Sequence, residues 1–173
     1  MGVLILKRNT DGGIEYLEKL CYYLKFNRKT KSIRDDFVIA FGSGVDADSM
    51  EDAYFQMMQV RKYFRKTGGN PLLHYIFSFD KRVKDEEAAI RYSRKIIAYF
   101  QDKYQVICAI HHKEREYSHY HVHIVVNSVS YVDGRMIDSY LPEIEKFRKH
   151  IAAVTMSLVP FHFAGYQEDV SGH

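Results

Sequence analysis

Apolar positions along the chain switch between two periods, and each switch marks an element. Val3-Leu-Ile-Leu-Lys7 is a short apolar run and predicts a buried strand within Met1–Lys7. Asn9-Thr-Asp-Gly-Gly13 is turn chemistry, with Thr10 or Asp11 as a cap for the next element. Ile14, Leu17, Leu20, Cys21 and Leu24 recur every three or four positions, which predicts a helix from Ile14 to about Phe26. Asp36–Phe41 reads as a strand closed by Gly42-Ser-Gly44. A second helix starts at Asp48 or Ser49 and runs to about Lys66, and its stripe of Met50, Met57 and Met58 reads as core packing. Gly68-Gly-Asn70 and Pro71 end it, and Leu72–Phe79 is the next strand. A third helix covers Val83–Gln101, entered through Asp85-Glu-Glu, whose acids suit a positive helix start. Tyr104–His111 and the stretch around His121–Asn127 are strands rich in β-branched residues. Val132-Asp-Gly-Arg135 is a hairpin-type turn before a short strand at Met136–Asp138. Pro142 opens a last helix to about Leu158, and no period is visible beyond Pro160.

About five strands and four helices, some strands joined by short connections, predict an α+β fold. The expected architecture is a central, five-stranded, mainly antiparallel sheet with helices packed on it. One domain over 1–173 is expected, with a core at 1–141 and a C-terminal helix and tail at 142–173. Composition agrees, since 46% hydrophobic and 27% charged residues in 173 suffice for a real core. No glycine-rich phosphate loop follows a strand, which argues against P-loop and Rossmann nucleotide sites. No apolar stretch approaches the roughly 20 residues of a membrane span and no signal-peptide pattern opens the chain, so a soluble cytoplasmic protein is expected. Cys21 and Cys108 sit in apolar surroundings without metal-type spacing and read as reduced core residues.

Chemistry concentrates in one stretch. Five of nine histidines fall within the thirteen residues His111-His112-Lys-Glu-Arg-Glu-Tyr-Ser-His119-Tyr-His121-Val-His123. On a strand, residues two apart share a face, so His119, His121 and His123 line one side while Val122 and Ile124 face the other. If the strand ending at His111 pairs beside this one, His111, His121 and His123 converge, the minimal geometry for a divalent or transition metal with open positions. Net charge is only +3, but its distribution is uneven. Lys25, Arg28, Lys29, Lys31 and Arg34 form a run without an acid, as do Arg61, Lys62, Arg65 and Lys66, and such clusters near a metal suit phosphates.

His121-Val-His123-Ile-Val-Val-Asn127-Ser-Val-Ser-Tyr-Val-Asp-Gly resembles the P-class mobilisation relaxases of Gram-positive bacteria, members of the HUH endonucleases. Tyr23-Leu-Lys-Phe-Asn-Arg-Lys29-Thr30 is similar to the family's N-terminal motif, a tyrosine on the first helix ahead of a Lys-Thr pair. Phe41-Gly-Ser-Gly-Val, Phe64-Arg-Lys-Thr-Gly-Gly and His74-Tyr-Ile-Phe-Ser78-Phe follow in the family's order, so the likeness spans about 14–138. The resemblance implies a metal-dependent nickase that cuts single-stranded DNA at a transfer origin, stays bound to the 5′ end through a tyrosine, and rejoins the strand. It implies accessory relaxosome proteins and a coupling protein as partners. Register with the Lys-Thr pair favours Tyr23 over Tyr22 as nucleophile. An ordinary tyrosine titrates at about 10, so the attacking phenol needs a metal or base nearby. Mg, or Mn or another transition metal, on His111, His121 and His123 would neutralise charge at the phosphate. Lys25, Arg28 and Lys29 would hold flanking phosphates, and His74 would lie near the DNA groove.

The chain also departs from the family. Where the family has Asp two residues after its first histidine, Lys113 stands here, in a loop two or three residues longer. Glu114 or Glu116 is the carboxylate left to orient an imidazole or take a proton. The doubled His111-His112 leaves the first ligand open, with strand register favouring His111. Asn127 either hydrogen-bonds DNA or fixes the histidine strand. Relaxases of this class continue into long C-terminal regions, so the resemblance implies an excised nuclease domain or a small relative. Two alternatives stay beside the nickase. One is a DNA-binding module of the same fold without the chemistry. The other is a rolling-circle replication initiator, whose tyrosine follows the His-x-His, where Tyr140 and Tyr166 stand here.

Overall fold

A computed structural model describes residues 2–7, 14–112, 119–137 and 141–164. In chain order the elements are β1 (Val3–Lys7), α1 (Ile14–Lys25), β2 (Phe37–Ser43), α2 (Met50–Tyr63), β3 (Leu72–Ser78), α3 (Glu86–Ile97), β4 (Val106–His111), β5 (His121–Asn127), α4 (Leu141–Thr155) and β6 (Phe161–Ala164). The fold is α+β, as the alternating periods predict. The strands form one sheet in the order β2-β4-β5-β3-β1-β6, antiparallel at every pairing except β1 with β6.

The sheet has six strands, not the five expected. The additional strand is Phe161-His-Phe-Ala164, in the tail where no period was visible. Four residues are too few to show an alternation, and this strand is defined by its partner: Leu4 through Lys7 pair with Phe161 through Ala164. A strand at Met136–Asp138 is not formed within the described residues, where Met136 makes only an isolated bridge to Val129. Asp138 lies outside them, as do Thr10 and Asp11.

Local chemistry sets the helix ends. Ser49 Oγ caps α2 by accepting from the backbone of Asp52 at 3.1 Å, and Asp85 caps α3 by accepting from Ala88 at 2.7 Å. The second helix stops at Tyr63 instead of Lys66 because Arg65 turns left-handed, with φ of 54°, and Lys66 N bonds back to Arg61 O. The third is shorter than its charge pattern indicated, because 80–85 form a turn before its cap.

Each face of the sheet carries its own pair of helices, α1 with α2 and α3 with α4. Val122, Ile124 and Val126 of β5 pack with Ile96, Phe100, Phe147 and Ile151 from α3 and α4 and the turn after α3. On the other face Ile107, Ala109 and Val125 meet Leu17, Leu20, Leu24, Ala53 and Met57 from α1 and α2. Fully buried side chains such as Leu17, Leu24 and Met57 each contribute about 1.5–3 kcal/mol of transfer free energy. The second face matters for function, because β5 turns its histidines toward it.

Candidate active site on the histidine face

Antiparallel pairing decides which residues meet. His121 stands opposite His111 on β4 and opposite Ser78 on β3. One row further in, His123 stands between Ala109 and Ile76, and the row beyond holds Ile107, Val125 and His74. Directly paired residues share a face, so His111, His121, His123, Ser78 and His74 all project to the side of α1 and α2. Ala109, opposite His123, offers only a methyl group. Across it the rings of His111 and His123 approach to 4.5 Å between centroids.

Each imidazole is held through one nitrogen. His111 Nε2 donates to the Leu24 carbonyl at 2.7 Å, at the last turn of α1. His121 Nδ1 lies 2.8 Å from Ser78 Oγ, and His123 Nδ1 lies 3.1 Å from Nε2 of His74. Burial pushes the pKa of His111 down, against an opposing bond to Leu24. His123 falls well below the ordinary histidine value through burial and then the neighbouring His111, His74 and His121. Both are therefore neutral near pH 7, the form in which imidazole binds metals.

The donor chemistry fits a divalent transition ion: imidazoles, each with one nitrogen anchored to a neighbour as ligating histidines usually are. Among the described residues, no group of three or more His, Cys, Asp or Glu already has its donor atoms arranged for an ion. The rings converge and their nitrogens point to protein partners.

Strand alternation separates the two members of the doubled histidine. His112 turns to the other side and stacks on Tyr120 at 4.0 Å with planes 10° apart, while its backbone N–H donates to Asp36 O at 2.7 Å. His119 is exposed. Glu114 and Glu116 lie outside the described residues.

The two tyrosines of α1 also separate. Tyr22 stacks on Phe26 at 4.9 Å, with Lys31 Nζ 5.6 Å from its ring centre. Tyr23, half-buried, lies under the Arg34 guanidinium at 4.4 Å from the ring centroid, with that of Arg28 at 5.3 Å. Arg34 is gripped by Asp36 through Nε at 2.8 Å and Nη2 at 2.9 Å, a bidentate fork. Burial works against its charge, but the Asp36 carboxylate and the Tyr23 hydroxyl more than offset this, leaving its pKa raised. The same charge reaches His111 and His123 and depresses both. Arg34 thus links the nucleophile candidate to the histidines electrostatically.

Lys25 Nζ reaches Asp48 O at 3.5 Å and lies near the rings of Phe26 and Phe37. Arg28 and Lys29 are exposed on the turn after α1. Asn27 Oδ1 organises that turn by accepting from the backbones of Lys29 at 2.9 Å and Thr30 at 3.3 Å.

Two of the candidate substrate contacts, Asn127 and His74, are buried. Asn127 is fully buried at the opposite end of β5, about 20 Å from His121 at strand rise. Its amide donates to Met57 O at 3.1 Å and Gln105 Oε1 at 2.9 Å, and its oxygen accepts from Val129 N at 3.2 Å. Of its two readings, burial and these bonds favour fixing the histidine strand over substrate contact. His74 is 4% exposed and faces His123 and Tyr16 rather than a groove. Burial leaves the His74 ring little surface of its own for a phosphate or base.

Sequence reasoning missed Ser78, Tyr16, the Leu24 carbonyl and the Arg34–Asp36 pair as parts of this site. The segment from His74 to Ser78 stood out in the sequence, but that its alternate side chains meet the histidines required its partner strand to be known first. No local signal marks Arg34, which is one cation in a basic run.

A family model described as relaxase, MobA/VirD2-like, nuclease domain matches residues 27–157. A structure solved for the molecular basis of vancomycin resistance transfer in Staphylococcus aureus is similar in fold. It has a TM-score of 0.55 and 10% identity, covering 90% of this chain and 88% of its own. No curated protein sequence matches the chain.

Proposed function

Because this chain belongs to the MobA/VirD2-like nuclease domains of relaxases, we propose that it cuts one DNA strand at a transfer origin with Tyr23 as nucleophile. It stays joined to the new 5′ phosphate and can rejoin the strand, in conjugative mobilisation. The observation that carries this reading is the docking of the last turn of α1 on the histidine face. Leu24 O accepts from His111 at 2.7 Å, and Tyr23 is the residue before it.

In the proposed step the phenolic oxygen of Tyr23 attacks phosphorus, forming an O–P bond while the bond from phosphorus to the 3′ oxygen breaks. The phenolic proton passes to Glu114, and the departing 3′ oxygen takes a proton from water. One phosphate ester replaces another, so a DNA 3′-hydroxyl can reverse the reaction at little cost. A divalent cation, Mg, or Mn or another transition ion, held by His111, His121 and His123 would neutralise charge on the non-bridging oxygens. Arg34 adds a fixed positive charge beside Tyr23, where negative charge builds up. Lys25, Arg28 and Lys29 hold flanking phosphates without reading sequence. No described helix is long and apolar enough to cross a membrane. The reading places the reaction in the cytoplasm with single-stranded DNA, accessory relaxosome proteins and a coupling protein as partners.

The test is a covalent-adduct assay. Single-stranded oligonucleotides tiling the DNA that flanks the chain's own gene are incubated with Mn²⁺ or Mg²⁺ and resolved on denaturing gels. The expected result is one oligonucleotide that gives a protein–DNA adduct in the wild type and in Tyr22→Phe, and none in Tyr23→Phe. An adduct that survives Tyr23→Phe moves the nucleophile elsewhere. Binding without cleavage under either ion would make the chain a DNA-binding module.

A further inference from the structure

A polar ring inside a sheet has to find partners, and the partners of His74 reveal a role. Its Nε2 lies 3.1 Å from His123 Nδ1, and its Nδ1 lies 3.4 Å from Tyr16 Oη. The rings of His74 and His123 are stacked, with centroids 5.3 Å apart and planes 29° from parallel. A neutral imidazole carries one N–H, so protons along this chain can run in only two directions. If Tyr16 donates to His74 and His74 to His123, the remaining proton of His123 sits on Nε2, where a metal would need a lone pair. In the other direction His123 donates from Nδ1 to His74, and His74 donates from its own Nδ1 to Tyr16 Oη. The lone pair of His123 Nε2 is then left available to a cation. Only the second direction makes His123 a ligand.

The anchor of this chain is not incidental. Tyr16 lies in the first turns of α1, the helix whose last turn supplies Leu24 O to His111. Tyr16 and Tyr23 are seven residues apart, two helical turns, and so lie on the same side of α1. One rigid helix thereby sets the orientation of two candidate ligands and carries the candidate nucleophile.

We propose that His74 is a positioning residue for His123: it accepts the Nδ1–H of His123, passes its own N–H to Tyr16, and so presents His123 Nε2 to a divalent cation. The assignment rests on the metal reading above.

The test titrates the metal-free chain with Co²⁺, following visible absorption and calorimetry, with no DNA present. Two amides at position 74 separate the two ring nitrogens. In His74→Asn the short amide can meet Tyr16 but cannot reach His123, whereas in His74→Gln the longer amide places an oxygen near the lost Nε2. His74→Asn should weaken Co²⁺ binding about 10–100-fold and alter the absorption bands, with unchanged far-UV circular dichroism. His74→Gln should recover most of that loss. Tyr16→Phe should weaken binding about threefold, and it carries the test if the Asn variant does not fold. Co²⁺ affinity and bands in His74→Asn equal to wild type would overturn the proposal, as would an unaltered Tyr16→Phe if it stands alone. A His74→Gln loss as large as that of His121→Ala would make His74 itself a ligand and overturn its positioning role. Wild type that binds Co²⁺ no better than His121→Ala would remove the metal reading itself, a result distinct from a silent position 74.

Discussion

Replacing Asn127 by Leu tests whether its amide serves the fold or the DNA. The substitution is close in volume and removes every polar atom of the side chain. Met57 O and Gln105 Oε1 lose their donor, and Val129 N loses its acceptor, in a place with no exposed surface. Each buried group left unsatisfied costs about 1–3 kcal/mol. Gln105 can turn partly away, since its amide also reaches Gly44 O and Gln56 O, so the three costs do not simply add. A net destabilisation of about 2–5 kcal/mol is expected. For a domain of this size each kcal/mol moves Tm by about 2–4 °C, which gives a fall of roughly 4–20 °C. Thermal and urea unfolding followed by circular dichroism measure this directly. Fluorescence anisotropy with single-stranded DNA, well below the variant's Tm, should give a Kd within about threefold of wild type, the scatter expected of a site without contact. A Tm drop under about 2 °C, or a tenfold weaker Kd in the folded variant, would refute the assignment of Asn127 to the fold.

Three further outcomes rest on other parts of the structure. Enlarging Ala109, which stands opposite His123 and two residues before His111 on β4, to Val should cost about 1–3 kcal/mol in unfolding titrations and should weaken Co²⁺ binding; unchanged binding would mean the rings do not act together. Burial pushes the Cys21 thiol up to about 12 and Cys108 higher still, so neither should react with a disulfide reagent at pH 8 until denaturant is added. The Arg82 guanidinium holds the Asp80 carboxyl well below the usual carboxylate range. A depressed folded pKa stabilises above the unfolded value near 3.9 and is lost as pH falls through the folded one. Asp80→Asn should therefore lower stability at neutral pH and narrow the gap from wild type in acid, as read from urea midpoints across pH 2–7.

How much of the fold and site was legible in the chain depends on the range of each signal. The alternation His121-Val-His123 needs only the strand period to place both rings on one face, and Val122 and Ile124 on the other. The three- and four-residue spacing of Leu17, Leu20, Cys21 and Leu24 likewise shows which side of α1 is buried. Capping by Ser49 and Asp85 is also a matter of a few neighbouring residues. The order of motifs from Tyr23 to Asn127 was enough to point to the relaxase family.

Everything that depends on register between distant segments was decided by the tertiary structure. Pairing β3 against β5 brings His74 and Ser78 to the histidines, from positions 49 and 43 residues away in the chain. A slip of one residue would have sent both to the opposite face. Packing α1 across the sheet decided that a backbone carbonyl, invisible in any side-chain pattern, holds His111. Packing of α2, through Met57 O, decided that Asn127 at the far end of β5 is buried. The sixth strand shows the same limit, because Phe161–Ala164 becomes a strand only through the edge of β1. Periodicity is a property of neighbours along the chain, whereas a site is a property of neighbours in space, and only the assembled ladder and its docked helices turn one into the other.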